Sequence, residues 1–223
     1  MGSEVQILSG AMLIKIFTTG PADTNCILIG CNKTRQAAIV DAPLGSSELI
    51  LQVIKKDQLT PQMILLTHSH WDHIADVVKL KKLLRTPIYV HPEDAGNLEN
   101  PGADGLPFPF PIEAIKPDKF LVDGQIIPLG DLKIEVICTP GHSAGGVCFW
   151  LRQQKILISG DTLFKGTIGN ISFPTSDPEQ MWESLKKLAR LPSDTRIFPG
   201  HGPETTIQAE SWIAHAKESF EEF

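Results

Sequence analysis

His68, His70, Asp72 and His73 place four side chains able to ligate a metal within six residues, directly behind the apolar run Met63-Ile64-Leu65-Leu66. Neutral imidazoles and carboxylates crowded this closely are costly to bury unless a cation satisfies them, so the chain must fold in a way that supplies one. The run ahead of the cluster reads as a β-strand. Behind it, Ile74, Val77, Val78, Lys81 and Leu84 fit a helix with its apolar side inward, ending near Thr86-Pro87. The cluster therefore occupies a strand-to-helix turn.

Three later strand patterns share one ending. Residues 133–138 lead to Gly141-His142, residues 155–158 to Gly160-Asp161, and residues 196–198 to Gly200-His201. A glycine before each donor permits unusual backbone angles or close approach, as needed where several loops converge on one small object. In a locally extended chain His68 and His70 face the same way. One cation would take His68, His70 and His142. Asp72 and His73, further round the turn, would serve a second with His201, and Asp161 would bridge the two. Seven donors for two cations leave positions open for water, the mark of a catalytic site, and a water held there would be a nucleophile at neutral pH. Zinc is the expected metal; iron and manganese accept the same mixed imidazole and carboxylate set.

The rest of the chain reads as one folded domain. Its 223 residues are 42% hydrophobic and 21% charged, outside the range of disordered chains. The net charge of -6 is spread out, with no basic stripe for a nucleic acid. No stretch approaches the length of a membrane span, and no secretion signal is evident. Cys26, Cys31, Cys138 and Cys148 lie in apolar strand patterns without C-x-x-C spacing, so they read as reduced core residues of a cytoplasmic protein, monomeric or homodimeric. Residues 12–17, 26–31 and 36–40 alternate like consecutive antiparallel strands, and residues 46–56 carry Leu49, Ile50, Val53 and Ile54 at helical spacing, with Ser46 or Ser47 as cap. A further strand is expected at 147–151, with helices near 178–190 and 208–217. Residues 99–117 hold five of the seventeen prolines together with Phe108 and Phe110, the pattern of a long loop that either packs on the core or covers a cleft. The domain is set at 12–223. Residues 1–11, ahead of a second methionine, are left outside it as an N-terminal extension.

Thr67 to His73, with Gly141-His142, Gly160-Asp161 and Gly200-His201, resembles the ligand set of the metallo-β-lactamase-fold hydrolases. The segment Gly160-Asp161-Thr162-Leu163-Phe164-Lys165-Gly166 is similar to glyoxalase II, the hydroxyacylglutathione hydrolases, and to its short bacterial relatives. The resemblance implies an α/β fold, an αββα four-layer sandwich with two metals at one edge, and hydrolysis of an acyl-thioester such as S-lactoylglutathione. Asp72 and Asp161 are then the catalytic carboxylates, and Lys165, Asn170 and Phe173 the expected substrate contacts. Positions at which glyoxalase II binds glutathione through lysine and tyrosine fall here on Asn170, Ser172 and Pro203, and after Arg196 the only Lys or Arg is Lys217. That departure implies a different or broader thioester.

Three rivals compete with this reading. Gly141-His142-Ser143-Ala144-Gly145 satisfies the G-x-S-x-G pattern of serine hydrolases, but a helix should follow Ser143, and residues 146–151 read as a strand. The persulfide dioxygenases resemble this chain too, and would use one iron held by His68, His142 and Asp161. A β-lactam substrate is disfavoured because the best-known zinc β-lactamases carry cysteine where Asp161 stands.

Overall fold

The computed structural model describes residues 4–10 and 12–221. Seven strands form the first sheet in chain order: β1 (Glu4–Ser9), β2 (Met12–Thr19), β3 (Thr24–Cys31), β4 (Gln36–Val40), β5 (Thr60–Leu65), β6 (Ile88–Val90) and β7 (Lys119–Phe120). The first four are antiparallel hairpin neighbours, and from β4 onward the strands run parallel, each reached through helical crossovers or, for β7, a helix and a long loop. The second sheet has the order β13-β12-β11-β10-β9-β8, built from β8 (Ile126–Leu129), β9 (Leu132–Cys138), β10 (Val147–Leu151), β11 (Ile156–Gly160), β12 (Arg196–Pro199) and β13 (Thr205–Thr206).

Strand periodicity decides the layers. Ile14, Ile27, Ile29 and Leu65 from one sheet meet Val136, Phe149, Ile158 and Phe198 from the other in a shared core. Alternate residues of the first sheet, among them Leu13, Leu28, Ile39 and Ile64, face helices α1 (Ser46–Lys56), α3 (Val77–Leu84) and α4 (Pro92–Glu99). Alternate residues of the second sheet, among them Ile137, Cys148 and Leu157, face α5 (Pro178–Leu188) through Met181, Leu185 and Leu188. Helices therefore cover both outer faces of two packed sheets, which is the αββα sandwich. Because both faces are covered, β3 is buried along its whole length, and from Cys26 to Cys31 it reads as an unbroken run without polar side chains. Lys15 on β2 is buried as well, 1% exposed, with its ammonium 3.0 Å from Asp57 beneath α1. Cys26, Cys31, Cys138 and Cys148 are free thiols.

Several boundaries move from their expected places. Residues 4–9, set outside the domain on sequence, form β1, paired with β2 from Glu4↔Phe17 to Ser9↔Met12. Ser46 and Ser47 do not cap α1; the backbone N–H groups of Gly45 and Ser47 donate to Asp76, 3.0 Å each, from across the fold. The helix expected after the histidine cluster is broken into α2 (Trp71–Ile74) and α3, because Ala42 draws off the backbone between them: its N–H donates to His73 O, and its carbonyl accepts from Asp76 N. The final helix begins only at α6 (Ala216–Glu221), after a 3-10 turn at Ser211–His215. Of the 99–117 segment, Glu99 ends α4 and residues 100–117 have no regular structure; Ile112 and Ile115 rest on the helix-side core and the Phe110 ring lies 5.7 Å from Trp71. Among the described residues no helix is long and apolar enough to cross a membrane.

Candidate metal centre

All seven donors of the sequence pattern meet at one edge of the sandwich. The turn after β5 brings His68 and His70, α2 brings Asp72 and His73, and the ends of β9, β11 and β12 bring His142, Asp161 and His201. Donor atoms of His68, His70 and His142 lie within 4.8 Å of one another, as do those of His68, His73 and Asp161, and those of Asp72, His73 and His201. Asp161 reaches both sides: Oδ1 is 3.4 Å from His73 Nε2, and Oδ2 is 3.5 Å from His142 Nε2 and 3.3 Å from His201 Nε2.

The glycines act as the sequence predicts, for distinct reasons. Gly141 has φ +146°, and a Cβ there would lie 2.5 Å from the Met181 backbone; Gly160 has φ +50°, and its Cβ would strike Thr67. At Gly200 the demand is space alone, since a Cβ would stand 2.1 Å from Asp161 Oδ1.

The ring nitrogens turned away from the centre are tied down. His73 Nδ1 pairs with Asp41 Oδ2 at 2.9 Å, His142 Nδ1 donates to Asn170 O at 2.8 Å, and His201 Nδ1 donates to Ala22 O at 3.1 Å. Asp72 accepts from Thr24 Oγ1 at 2.7 Å. Such partners fix tautomer and ring direction in metal sites. The atoms on the inner side lack partners: His68 Nε2, His142 Nε2 and Asp161 Oδ1 are buried without a hydrogen bond, as is His70 Nε2. Buried polar atoms are normally paired, so this set fits a bound cation, and two would be held by His68, His70 and His142 on one side and Asp72, His73 and His201 on the other, with Asp161 between.

Charge reinforces the fit. Burial, together with neighbouring His73 and His70, keeps His68 well below its ordinary value, and burial pulls His70 down to about 3, so both are neutral and ready to ligate. Burial opposes protonation of His73 and His201 as well. There it is outweighed by Asp72, Asp161 and Asp41 around His73, which rises well above 6.5, and by the hydrogen bonds His201 donates to Asp161 and Asp72, which raise it to about 9. Burial favours the neutral acid at Asp161, but the His73 charge prevails and holds it ionised. In the metal-free protein the second side thus carries two protons that a cation must displace. Loading the protein at neutral pH should release about two protons, and affinity should climb as pH rises through about 9, where His201 loses its extra proton. Calorimetry in buffers of different ionisation enthalpy reads the release; an affinity indifferent to pH would contradict it.

Sequence reasoning missed Asp41. Its carboxylate accepts from Thr67 N at 2.8 Å and Thr67 Oγ1 at 2.7 Å as well as facing His73, and its own backbone sits at φ 58°. A non-glycine residue in that region at a site edge marks a conformation imposed by its surroundings. Of the expected substrate contacts, Phe173 lies with its ring 5.5 Å from His70 and 5.6 Å from His142. Lys165 is exposed on the segment after Asp161. Asn170 turns its backbone to the site, and its side chain accepts from Ser172 N. Phe164, not foreseen, stands 5.9 Å from His201. His91 caps α4 and His215 lies on the surface, apart from the centre. Ser143 runs straight into β10 with no helix behind it, so it lacks the elbow a serine nucleophile requires.

Residues 19–201 match the metallo-beta-lactamase superfamily. The hydroxyacylglutathione hydrolase GloC of Haemophilus influenzae is 35% identical over 203 residues, covering 89% of this chain and 95% of that protein. Among solved structures, the BLEG-1 B3 metallo-beta-lactamase superposes with a TM-score of 0.82 at 34% identity, covering 88% of this chain and 95% of its own. TTHA1623, solved in a di-iron-bound form, gives 0.73 at 36% identity, covering 87% and 95%.

Proposed function

The chain belongs to the metallo-beta-lactamase superfamily, and from that premise we propose that it is a metal-dependent thioesterase of the glyoxalase II type, acting on a small acyl-thioester. The observation that carries the proposal is Asp161, a buried carboxylate that lies 3.5 Å from His142 in one half of a seven-donor cluster and 3.4 and 3.3 Å from His73 and His201 in the other. Bound there, two divalent cations would supply an activated water and a Lewis acid for a carbonyl oxygen. What the chain contributes is placement. Thr24 holds the Asp72 carboxylate toward His73 and His201, and Asp41 holds the His73 ring. Phe173 and Phe164 flank the donors with apolar surface suited to a short acyl group. A thioester needs no separate proton donor for its leaving group, because a thiol of pKa about 8.5 departs readily as thiolate. Zinc suits the donors, and the di-iron form of TTHA1623 supports iron as the other candidate.

The deciding experiment is turnover of a panel containing S-lactoylglutathione, simpler acyl-thioesters and a β-lactam, with elemental analysis of the purified protein. Thioester hydrolysis should disappear with a chelator, return with zinc, and survive a serine-directed acylating reagent. The β-lactam belongs in the panel because BLEG-1 is a B3 metallo-beta-lactamase. Oxygen uptake with glutathione persulfide and no thioester turnover would instead place the chain with the dioxygenases.

A further inference from the structure

We infer that two buried residues outside the donor set, Asp94 and Asn25, each lock one half of the centre, so that the two half-sites are held independently of one another. The inference rests on the two-cation reading above.

Asp94 lies in the first turn of α4, 5% exposed. Its Oδ2 accepts from Ser69 N at 2.8 Å and its Oδ1 from Gly145 N at 2.7 Å. One carboxylate thereby joins the backbone between His68 and His70 to the backbone three residues past His142. One turn on, Asn97 Nδ2 donates to Ser69 O at 2.6 Å, so α4 grips both the N–H and the carbonyl of the residue separating two donors. A Cβ on Gly145 would stand 2.6 Å from Asp94 Oδ1; glycine is what lets the carboxylate in. Charge-assisted bonds to backbone N–H groups are the strong kind, and a carboxylate this buried depends on them.

Asn25 plays the matching part on the other side, at the start of β3 and 5% exposed. Its Nδ2 donates to Pro199 O and Gly202 O at 3.0 Å each, and its backbone N–H donates to Gly200 O at 2.7 Å. Thr18 Oγ1 fixes the amide by donating to Oδ1 at 2.7 Å. The loop bearing His201 is thus fastened to the opposite sheet, next to Thr24, which holds Asp72. The contacts of Asp94 and those of Asn25 share no residue.

Two isosteric changes separate the locks. Asp94→Asn turns one acceptor into a donor facing a backbone N–H, and Asn25→Asp turns two donors into acceptors facing carbonyls. Metal-free protein is titrated with cobalt(II), followed by visible absorption and calorimetry, while the melting temperature of the metal-free form reports folding. Wild type should bind two ions. Asp94→Asn should weaken one by about 10–100-fold and spare the other, and Asn25→Asp should do the converse. Adding His142→Ala to Asp94→Asn should weaken that same ion further and still spare the other, whereas adding His201→Ala should weaken the ion that Asp94→Asn alone spares. Should either variant fail to fold, Gly145→Ala and Thr18→Val probe the same two locks. Equal weakening of both ions in each variant, or no change in either, overturns the inference and leaves the two-cation reading standing. A wild type that binds a single ion overturns both.

Discussion

Replacing Asp161 by alanine is expected to lower hydrolysis by on the order of 10³-fold while the fold survives. Among the described residues, Asp161 is the one whose carboxylate approaches His142 on one side and His73 and His201 on the other, at 3.3 to 3.5 Å. It is 9% exposed and stands at the end of β11, outside the apolar cores, so its loss leaves the packing of both sheets untouched. Its loss removes the one ionised group able to serve both half-sites. Metal assistance in hydrolysis contributes several kcal/mol, and each 1.36 kcal/mol is a factor of ten, which gives the magnitude. Asp161→Asn keeps the shape without the charge and should fall between wild type and alanine. Values of kcat/KM on the best thioester, with metal content and melting temperature, test the claim. Near-normal turnover in Asp161→Ala would remove the bridging role from the account.

Much of this centre is visible in the sequence because its donors carry local signals. His68 to His73 form a compact run, and the glycines at 141, 160 and 200 stand next to the side chains whose approach they permit. The residues that hold the donors carry no such signal. Asp41 reaches Thr67 and His73 across 26 and 32 positions, and Asn25 reaches Pro199 across 174. On sequence, each is one more polar residue near a strand end. Gly169 is of the same kind: a Cβ there would fall 2.0 Å from Asp161 O, yet no donor follows it in the chain. Length hides other parts of the fold. β6 has three residues and β7 two, too few for alternation to show, and α4 combines Pro92 and Gly96 with only a weak apolar face. Ser46 and Ser47 carry the hydroxyls that usually cap a helix start, whereas Asp76 supplies the cap of α1 from 31 positions away.

Gly200→Ala should strip the centre of metal although it adds only a methyl group. The added Cβ would lie 2.1 Å from Asp161 Oδ1 and 2.8 Å from His73 Cε1, below any distance real Cβ atoms keep. The backbone has little freedom to retreat, because Gly200 N donates to Gly160 O and Gly200 O accepts from Asn25 N. The carboxylate must therefore swing away, and it is the group both half-sites share. Overpacking of this size costs about 1–3 kcal/mol of stability, an amount a domain of this size tolerates. Turnover, in contrast, should drop by about 10²–10³, as expected when a group bearing on the transition state is misplaced. Gly202→Ala supplies the contrast. Its φ of +73° strains any side chain, by about 1–2 kcal/mol, but nothing lies within 4 Å of the new Cβ. That variant should lose stability and keep its metal. If Gly200→Ala instead retained full metal content and rate, the crowding of Asp161 against the His201 loop would not be what shapes this centre.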